Sequence, residues 1–588
     1  MNEAVGELTS VTESVVQARI DGQLRLSEQV WVGQERLTAE VIALAGNSAT
    51  IQVYEQTTGL RLGEPLYSSG NLLSATLGPG LLGQTFDGIQ RPLDVLQEHM
   101  GAFVQRGENI APLDSDRRWP FTPCVAEGDE VEPGALLGVL PETPLIEHRV
   151  LLPPGLRGRI VHLVDEGEYT INDEVAVLVD GDEQEHTLTL TQRWPVRRPR
   201  PIKQRHSPSV PLITGQRIVD TFFPIAKGGT AAVPGPFGSG KTVMQQSLAK
   251  WSDADIIIYV GCGERGNEMA DVLEDFPELE DPRSGHPLME RTVMIANTSN
   301  MPVAARESSI YTGITIAEYY RDQGYNVALM ADSTSRWAEA LRELSGRLEE
   351  MPAEEGFPAY LPSRLAAFYE RAGRVTALGD REGSVSVIGA VSPPGGDFSE
   401  PVTRNTQRFT QTWWALDRDL ANKRHYPAIN WLNSYSLYLD EVAAWWDEQS
   451  DLDWRALRRQ AMHVLDEESS LQQIVRLVGP DALGDQQQWV LSVARLLREG
   501  FLQQNAMSEV DAQATPRKQE LMLRLFVSVY QRGGQLLDRG IALKQVQDCI
   551  DIPHLIRLKE EIANDDAEQI AQLQEEIMQQ LAQLGEEQ

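Results

Sequence analysis

The sequence has 588 residues, and a chain of this length predicts roughly three to five domains. Its 86 acidic residues exceed its 52 basic residues, which gives a net charge of −34 at pH 7 and a pI near 4.7. This balance argues against sequence-independent binding to nucleic acid and against direct binding to an anionic membrane, because both require a positively charged protein surface.

Cysteine is scarce, and Cys124, Cys262 and Cys549 lie far apart in the chain. Three such residues form neither a disulfide framework nor a zinc signature, so a reducing, cytoplasmic compartment fits best. The polar, acidic N-terminus predicts no signal or transit peptide. No apolar run approaches the ~20 residues that span a bilayer, so we expect no direct membrane insertion.

Residues 1–77 contain short alternating segments separated by turn residues, a pattern that predicts an N-terminal β-barrel. Residues 110–195 keep the β character in two hairpin-rich halves, which predicts a β-rich, barrel-sandwich-like insertion. Modules of this kind often carry biotin or lipoate on a lysine, but no lysine occurs between Asn109 and Ile202, so this role is excluded. A basic run from Arg193 to Arg205, interrupted by prolines, predicts a solvated linker.

Residues 78–109 and 196–435 are expected to form an α/β, RecA-like core. Buried strands alternate there with helical stretches, which predicts a parallel sheet with helices on both faces. The candidate strands are GTAAVPG, ADIIIYVG, RTVMIANT, NVALMAD and SVSVIGAV. Residues 436–588 have helical spacing and predict a C-terminal helical domain, whose last segment is expected to be an exposed or partner-facing helix.

The segment 235–242 reads GPFGSGKT and matches the phosphate-binding pattern G-x-x-x-x-G-K-[ST] in full. A predicted strand precedes it and a predicted helix follows it. Its glycines allow backbone N–H groups to surround a phosphate, and the helix N-terminus favours an anion. Lys241 is expected to reach the β- and γ-phosphates of ATP, and the Thr242 hydroxyl to bind Mg²⁺.

Two further acidic positions lie at the ends of predicted strands. Asp332 ends NVALMAD and is expected to hold the metal, although it could instead cap the following helix. Glu264 follows ADIIIYV in GCGERGNE, where a carboxylate can orient and activate the attacking water. Arg265 beside it can fix that carboxylate or touch phosphate. The alternative is that the Gly-Glu-Arg tripeptide is a surface turn.

Together, GPFGSGKT, GCGERGNE, LMADSTSRWAEALRE and HYPAINWLNSYS resemble the catalytic A subunit of V/A-type rotary ATPases. Phe237 within the phosphate loop is typical of that protein. The insertion is similar to its bulge domain, and SPPGGDFSEPVT at 392–403 also matches. The resemblance extends over essentially the whole chain.

The resemblance implies a catalytic subunit that couples ATP hydrolysis or synthesis to H⁺ or Na⁺ translocation. It implies an A3B3 hexamer with a non-catalytic B-type subunit, together with central and peripheral stalk subunits, on the cytoplasmic side of a membrane. The arginine finger is then expected from B rather than from this chain. Catalytic roles fall to Lys241, Glu264 and Arg265, and Asp332 belongs to the outer shell of the metal. The implied ATP/ADP-binding residues are Gly235, Pro236, Phe237, Gly238, Ser239, Gly240, Lys241, Thr242, Val243 and Tyr426.

Several points stay open at this level. Tyr426 is implied to pack on adenine, but an ordinary core position is an alternative. The segment 501–506, FLQQNA, is assigned to the adenine side by resemblance alone. Ser239 replaces a cysteine of the eukaryotic vacuolar form, which favours a prokaryotic-type enzyme. Cys262 is interpreted as a small buried residue.

Three other functions compete with this interpretation. A hexameric RNA translocase would need basic, aromatic pore loops, which the acidic charge opposes. A type III secretion or flagellar export ATPase forms rings alone and lacks the insertion. A non-catalytic nucleotide-binding subunit would have lost part of the set Lys241, Thr242 and Glu264, which is intact here.

Overall fold

The computed structural model describes residues 4–100, 107, 110–449, 453–479 and 482–586. The first six strands form a closed antiparallel barrel in the order β1–β2–β5–β4–β3–β6. Their bounds are β1 Ala4–Val11, β2 Val15–Ile20, β3 Glu28–Val32, β4 Leu37–Ala45, β5 Ser48–Val53 and β6 Pro65–Leu72. Alternate positions face inward, as in β3, where Glu28, Val30 and Val32 are buried. The predicted N-terminal barrel is therefore present.

The next segments lead into the insertion, which consists of two four-stranded sheets. The elements are β7 Ser74–Leu77, β8 Thr85–Phe86, α1 Leu93–Met100, β9 Trp119–Pro123, β10 Glu130–Val131, β11 Leu136–Pro141, β12 Glu147–Leu151, β13 Gly158–Leu163, β14 Gly167–Tyr169, β15 Ala176–Val179, β16 Glu185–Leu188 and β17 Gln192–Pro195. The sheets have the orders β10–β13–β15–β16 and β12–β11–β9–β14. Strand β17 pairs with β7, so the insertion returns to the strand from which it departs.

Strands and helices then alternate, as the apolar runs predicted. The elements are β18 Ile202–His206, β19 Thr230–Pro234, α2 Lys241–Trp251, β20 Ile256–Glu264, α3 Gly266–Glu278, β21 Thr292–Thr298, α4 Val303–Asp322, β22 Asn326–Asp332, α5 Thr334–Arg347, α6 Leu361–Tyr369, β23 Gly373–Ala377, β24 Glu382–Val391, α7 Pro401–Phe409, β25 Thr412–Trp413, α8 Arg418–Asn422 and β26 Tyr435–Ser436. Strands β8, β21, β20, β22 and β24 pair in parallel in that order. Strands β23 and β18 extend this sheet with antiparallel pairs.

The C-terminal part of the chain is helical. Its helices are α9 Ala443–Gln449, α10 Trp454–Val478, α11 Asp485–Arg495, α12 Pro516–Asp538, α13 Leu543–Cys549, α14 Ile552–Glu561 and α15 Glu568–Glu586. Short π-helical turns cover Ile218–Phe222 and Leu496–Leu502. Short 3₁₀ turns cover Leu288–Arg291, Glu354–Gly356 and Pro394–Gly396. Among the described residues, no helix has both the length and the apolar content required to cross a membrane.

Two expectations about exposure need correction. The basic run is a solvated linker only in part: Arg193, Arg198, Lys203 and Arg205 are exposed. Within the same run, Arg197 pairs with Glu40 and Glu307 at 3.1 and 2.8 Å, and Arg200 is 4% exposed. Carboxylates buried along α4 require cations, and these arginines supply them. The last segment is also not one exposed helix. It is broken into α14 and α15, and α15 contacts α12 and buries Ile570, Ile577 and Leu581 on one face.

The chain forms two compact units. The first comprises Met1–His206, Gly228–Ala232 and Ala254–Thr410, and therefore holds the barrel, the insertion and the parallel strands. The second comprises Ser207–Lys227, Val233–Asp253 and Gln411–Gln588. The phosphate loop and α2 belong to the second unit, whereas Glu264 and Asp332 belong to the first.

Candidate functional site

The phosphate loop has a backbone conformation that its glycines make accessible. Gly238 and Gly240 have φ values of 78° and 90°, which L-residues with side chains rarely adopt. A Cβ atom added to Gly235 would lie 2.5 Å from Ser239 Oγ and 2.8 Å from Leu416 Cβ, so only glycine fits there. Ser239 is buried and donates to the Pro236 carbonyl at 2.7 Å. The loop is thus a tight, preformed turn.

Helix α2 begins at Lys241, directly after this turn. The Lys241 ammonium donates to the carbonyl oxygens of Gly235 and Pro236 at 2.8 and 3.1 Å, so its side chain folds back over the loop. The backbone N–H groups of a first helical turn point toward the helix N-terminus, and the helix dipole adds positive potential there. Lys241 and Thr242 therefore lie where an anion is favoured. Phe237 and Val243 are exposed on the same segment, by 69% and 60%.

Tyr426 lies beside the loop within the second unit. A Cβ atom added to Gly240 would lie 3.8 Å from Tyr426 Cε1, and the ring is 44% exposed. This exposure does not support an ordinary core position. The carbonyl of Tyr426 accepts a hydrogen bond from the Gln504 backbone N–H at 2.8 Å, which attaches the segment 501–506 to it. Within that segment Phe501 is fully buried and packs on Phe222 at 5.7 Å, so its ring is not available to a base.

In the first unit, Glu264 and Asp332 occupy the carboxyl ends of adjacent parallel strands, β20 and β22. Burial, with contributions from the charge of Asp332 and from Glu268, raises the pKa of Glu264 to about 7. A carboxyl group with this pKa can accept and release a proton near neutral pH. The surface-turn alternative does not fit a strand-end residue with a pKa perturbed in this way.

Asp332 is 2% exposed, and its Oδ2 accepts a hydrogen bond from the Tyr259 hydroxyl at 3.3 Å. Helix α5 begins at Thr334 after Ser333, and no side-chain hydrogen bond caps it. Asp332 therefore precedes the N-cap residue of α5 rather than occupying that position. Burial and the charge of Asp332 raise the pKa of Tyr259 well above its ordinary value, so its hydroxyl stays a donor.

Arg265 directly precedes α3, and its side chain is 59% exposed. Its guanidinium lies 3.9 Å from the carboxylate of Glu268, with which it forms an ion pair. Cys262 is fully buried, as expected, and burial raises the pKa of its thiol to about 12. It is therefore a small core residue and not a reactive thiol.

Sequence reasoning missed two arginines at the end of β20. A Cβ atom added to Gly263, where φ is 76°, would lie 2.5 Å from Arg306 Cδ and 3.0 Å from Arg336 Cβ. Both arginines belong to helices, α4 and α5, that follow other strands of the sheet, and their guanidinium groups pair with Glu343 and Glu339. The sequence could have indicated both arginines, because each lies in the first turn of a helix that follows a predicted strand. In an α/β sheet, ligand sites lie at the carboxyl ends of the strands, next to these first turns.

Comparison with known proteins places these features in a family. The nucleotide-binding domain of the ATP synthase alpha/beta family matches residues 215–436, and the beta-barrel domain of that family matches residues 3–70. The barrel-sandwich domain of ATP synthase alpha/beta subunits matches residues 110–197, and the C-terminal domain of V and A type ATP synthases matches residues 443–546.

Curated relatives match over nearly the full length. The A subunit of the A-type ATP synthase of Methanopyrus kandleri is 58% identical over 100% of this chain and 99% of its own. The V-type ATP synthase alpha chain of Halothermothrix orenii is 57% identical over 97% of each chain. Among solved structures, the type III secretion ATPase EscN of enteropathogenic E. coli superposes with a TM-score of 0.62 at 21% identity, over 89% of this chain and 100% of EscN, which shows a shared fold. The chain belongs to the ATP synthase alpha/beta family, within the group formed by the catalytic A subunits of the A-type and V-type ATP synthases.

Proposed function

We propose that the chain binds ATP and ADP through its phosphate loop and performs the hydrolysis and synthesis chemistry of a rotary ATPase. The observation that carries this proposal is the complete, preformed loop GPFGSGKT with Lys241 folded over it, in a chain 58% identical to the A subunit of an A-type ATP synthase. Such a loop surrounds phosphate with backbone N–H groups, and the lysine charge follows the transferred phosphoryl group.

The residues of the site have distinct roles in this proposal. Lys241 neutralises the β- and γ-phosphates, and the other residues of the loop, 235–243, hold them. Tyr426 offers an exposed aromatic face for the adenine base. Glu264 orients the attacking water and takes its proton, since its pKa near 7 suits a base at neutral pH. Arg265 supports the charged phosphates or Glu264 once the site is assembled.

The chemistry of the available donors fits Mg²⁺. The Thr242 hydroxyl and the Asp332 carboxylate are oxygen ligands of the kind that this cation takes, with Asp332 acting through water in the outer shell. Asp332 is buried with one oxygen hydrogen-bonded to Tyr259, so its carboxylate is held in place. When bound, Mg²⁺ supplies charge neutralisation at the phosphates.

The partners follow from the family. We propose an A3B3 hexamer with a non-catalytic B-type subunit that contributes the arginine finger. Central and peripheral stalk subunits connect it to membrane subunits that translocate H⁺ or Na⁺. This chain then works on the cytoplasmic side of the membrane without entering it. The export-ATPase alternative rests on fold alone, at 21% identity. The RNA-translocase alternative is opposed by the charge of −34.

The test is ATP hydrolysis by the assembled complex with Lys241→Ala. Removal of the ammonium deletes a transition-state contact, and the loss of one such contact commonly costs about 100-fold or more in turnover. Lys250→Ala, at the opposite end of α2, is the matched control and should retain normal turnover. Retention of more than about 10% of activity by Lys241→Ala would refute the assignment of the phosphate loop.

A further inference from the structure

A buried hydroxyl that the proposed chemistry does not use lies against the acidic strand end. Tyr259 is on β20, 1% exposed, with its ring packed on Phe276 at 5.9 Å. A phenylalanine would fill this space equally well. Burying a hydroxyl without a hydrogen-bond partner is unfavourable, so a buried tyrosine is expected to use its hydroxyl. Its partner is Oδ2 of Asp332, at 3.3 Å.

The register of the sheet explains this contact. Strands β20 and β22 are parallel, and Gly261 lies opposite Asp332. Tyr259 is two residues before Gly261, so its side chain is on the same face of the sheet as Asp332. Two residues of strand span about 6.6 Å, which is close to the reach of a tyrosine side chain.

Gly261, which lies opposite Asp332, determines how closely α3 approaches β20. A Cβ atom added to Gly261 would lie 1.9 Å from Met269 Cε, so a side chain at 261 would collide with α3. Glycine at this position therefore lets α3 approach the strand, and α3 carries the Phe276 ring that packs on Tyr259. The hydrogen bond joins two residues 73 positions apart in the chain.

We propose that Tyr259 is a positioning residue that holds the carboxylate of Asp332 in the orientation required for Mg²⁺-dependent nucleotide binding. The inference rests on the metal role proposed above for Asp332. Partners that orient a metal-site ligand commonly change metal affinity by about 10–100-fold when they are removed. A contact of 3.3 Å is longer than an ordinary O–H···O hydrogen bond, so an effect at or below the lower end of that range is expected.

The experiment compares ADP binding to the full-length chain by calorimetry, in MgCl₂ and in EDTA, for the wild type and Tyr259→Phe. We expect the dissociation constant in MgCl₂ to rise about 3–10-fold, the effect of losing one weak hydrogen bond. The constant in EDTA should stay unchanged. An equal rise in both conditions would mean that Tyr259 supports only packing, and no rise in either would mean that its hydroxyl has no role; each result overturns the inference.

The matched control is Tyr319→Phe, which also removes a buried hydroxyl, one that bonds His148 of the insertion at 2.8 Å. This variant should leave the effect of Mg²⁺ unchanged. Thermal unfolding of both variants checks that they are folded.

A double-mutant cycle with Asp332→Asn separates the two proposals. If Tyr259 acts through Asp332, Tyr259→Phe should add no further loss of the Mg²⁺ effect in the Asp332→Asn background. A normal Mg²⁺ effect in Asp332→Asn would refute the metal role of Asp332 and the inference together. A lost Mg²⁺ effect in Asp332→Asn with an unchanged one in Tyr259→Phe would refute the inference alone.

Discussion

Glu264→Gln should separate binding from chemistry and should also stabilise the nucleotide-free chain. Glutamine keeps the size and one acceptor oxygen but cannot ionise. Nucleotide affinity should change little, because no phosphate contact is assigned to Glu264. Turnover of the assembled complex should fall by about 10²–10⁴, the usual contribution of a general base.

The effect on stability follows from the pKa of Glu264, which is raised from 4.5 to about 7 in the folded chain. Between these values the folded state binds more protons than the unfolded state, so stability falls as pH rises. At about 1.4 kcal/mol per pH unit, the raised pKa of Glu264 lowers the free energy of unfolding by about 3 kcal/mol at pH 8 and by about 1 kcal/mol at pH 5. Glutamine resembles the neutral acid and avoids this cost.

The assay pairs urea unfolding of the nucleotide-free chain at pH 5 and pH 8 with Mg-ATP binding and steady-state hydrolysis by the complex. Glu264→Gln should be more stable than the wild type, and by a larger margin at pH 8. Glu274→Gln, an exposed carboxylate on the neighbouring helix α3, is the control and should change none of these quantities. Equal losses of binding and turnover, or a margin that does not grow with pH, would refute the reasoning for Glu264.

Two further predictions concern the parts of the assembly. The purified chain alone should hydrolyse ATP slowly, since the arginine finger is expected from the B-type partner and such a finger contributes about 10³–10⁵ in rate; fast turnover without B would favour the export-ATPase alternative. Deletion of residues 115–190 should spare nucleotide binding, measured by calorimetry, but weaken assembly or the coupling of hydrolysis to ion transport. The deletion should also lower the melting temperature, because Glu142 of the insertion accepts hydrogen bonds from Gly80, Leu82 and Tyr320 in the core. Normal coupling of hydrolysis to ion transport by a folded deletion variant would show that the insertion has no role in coupling.

The sequence by itself determined the features that depend on neighbouring residues. GPFGSGKT requires glycines at fixed offsets because the positive φ angles at Gly238 and Gly240 are a local backbone property. The strands ending at Glu264 and Asp332 were predicted because a continuous apolar run is enough to specify a buried strand. The absence of lysine from the insertion likewise excluded biotin or lipoate attachment on the basis of the sequence alone.

Tertiary structure decided whatever depends on residues far apart in the chain. The basic run was predicted to be solvated, but Arg197 within it pairs with the carboxylates of Glu40 and Glu307, 157 and 110 positions away in the chain. The pKa of Glu264 is set by burial and by Asp332, on the adjacent strand. In the sequence, Tyr259 is one residue of an apolar run that predicts a strand. Its hydrogen bond to Asp332 depends on the register of β20 and β22, which the sequence pattern does not specify. Local patterns specify backbone conformation, whereas desolvation and charge pairing arise only when distant segments pack together.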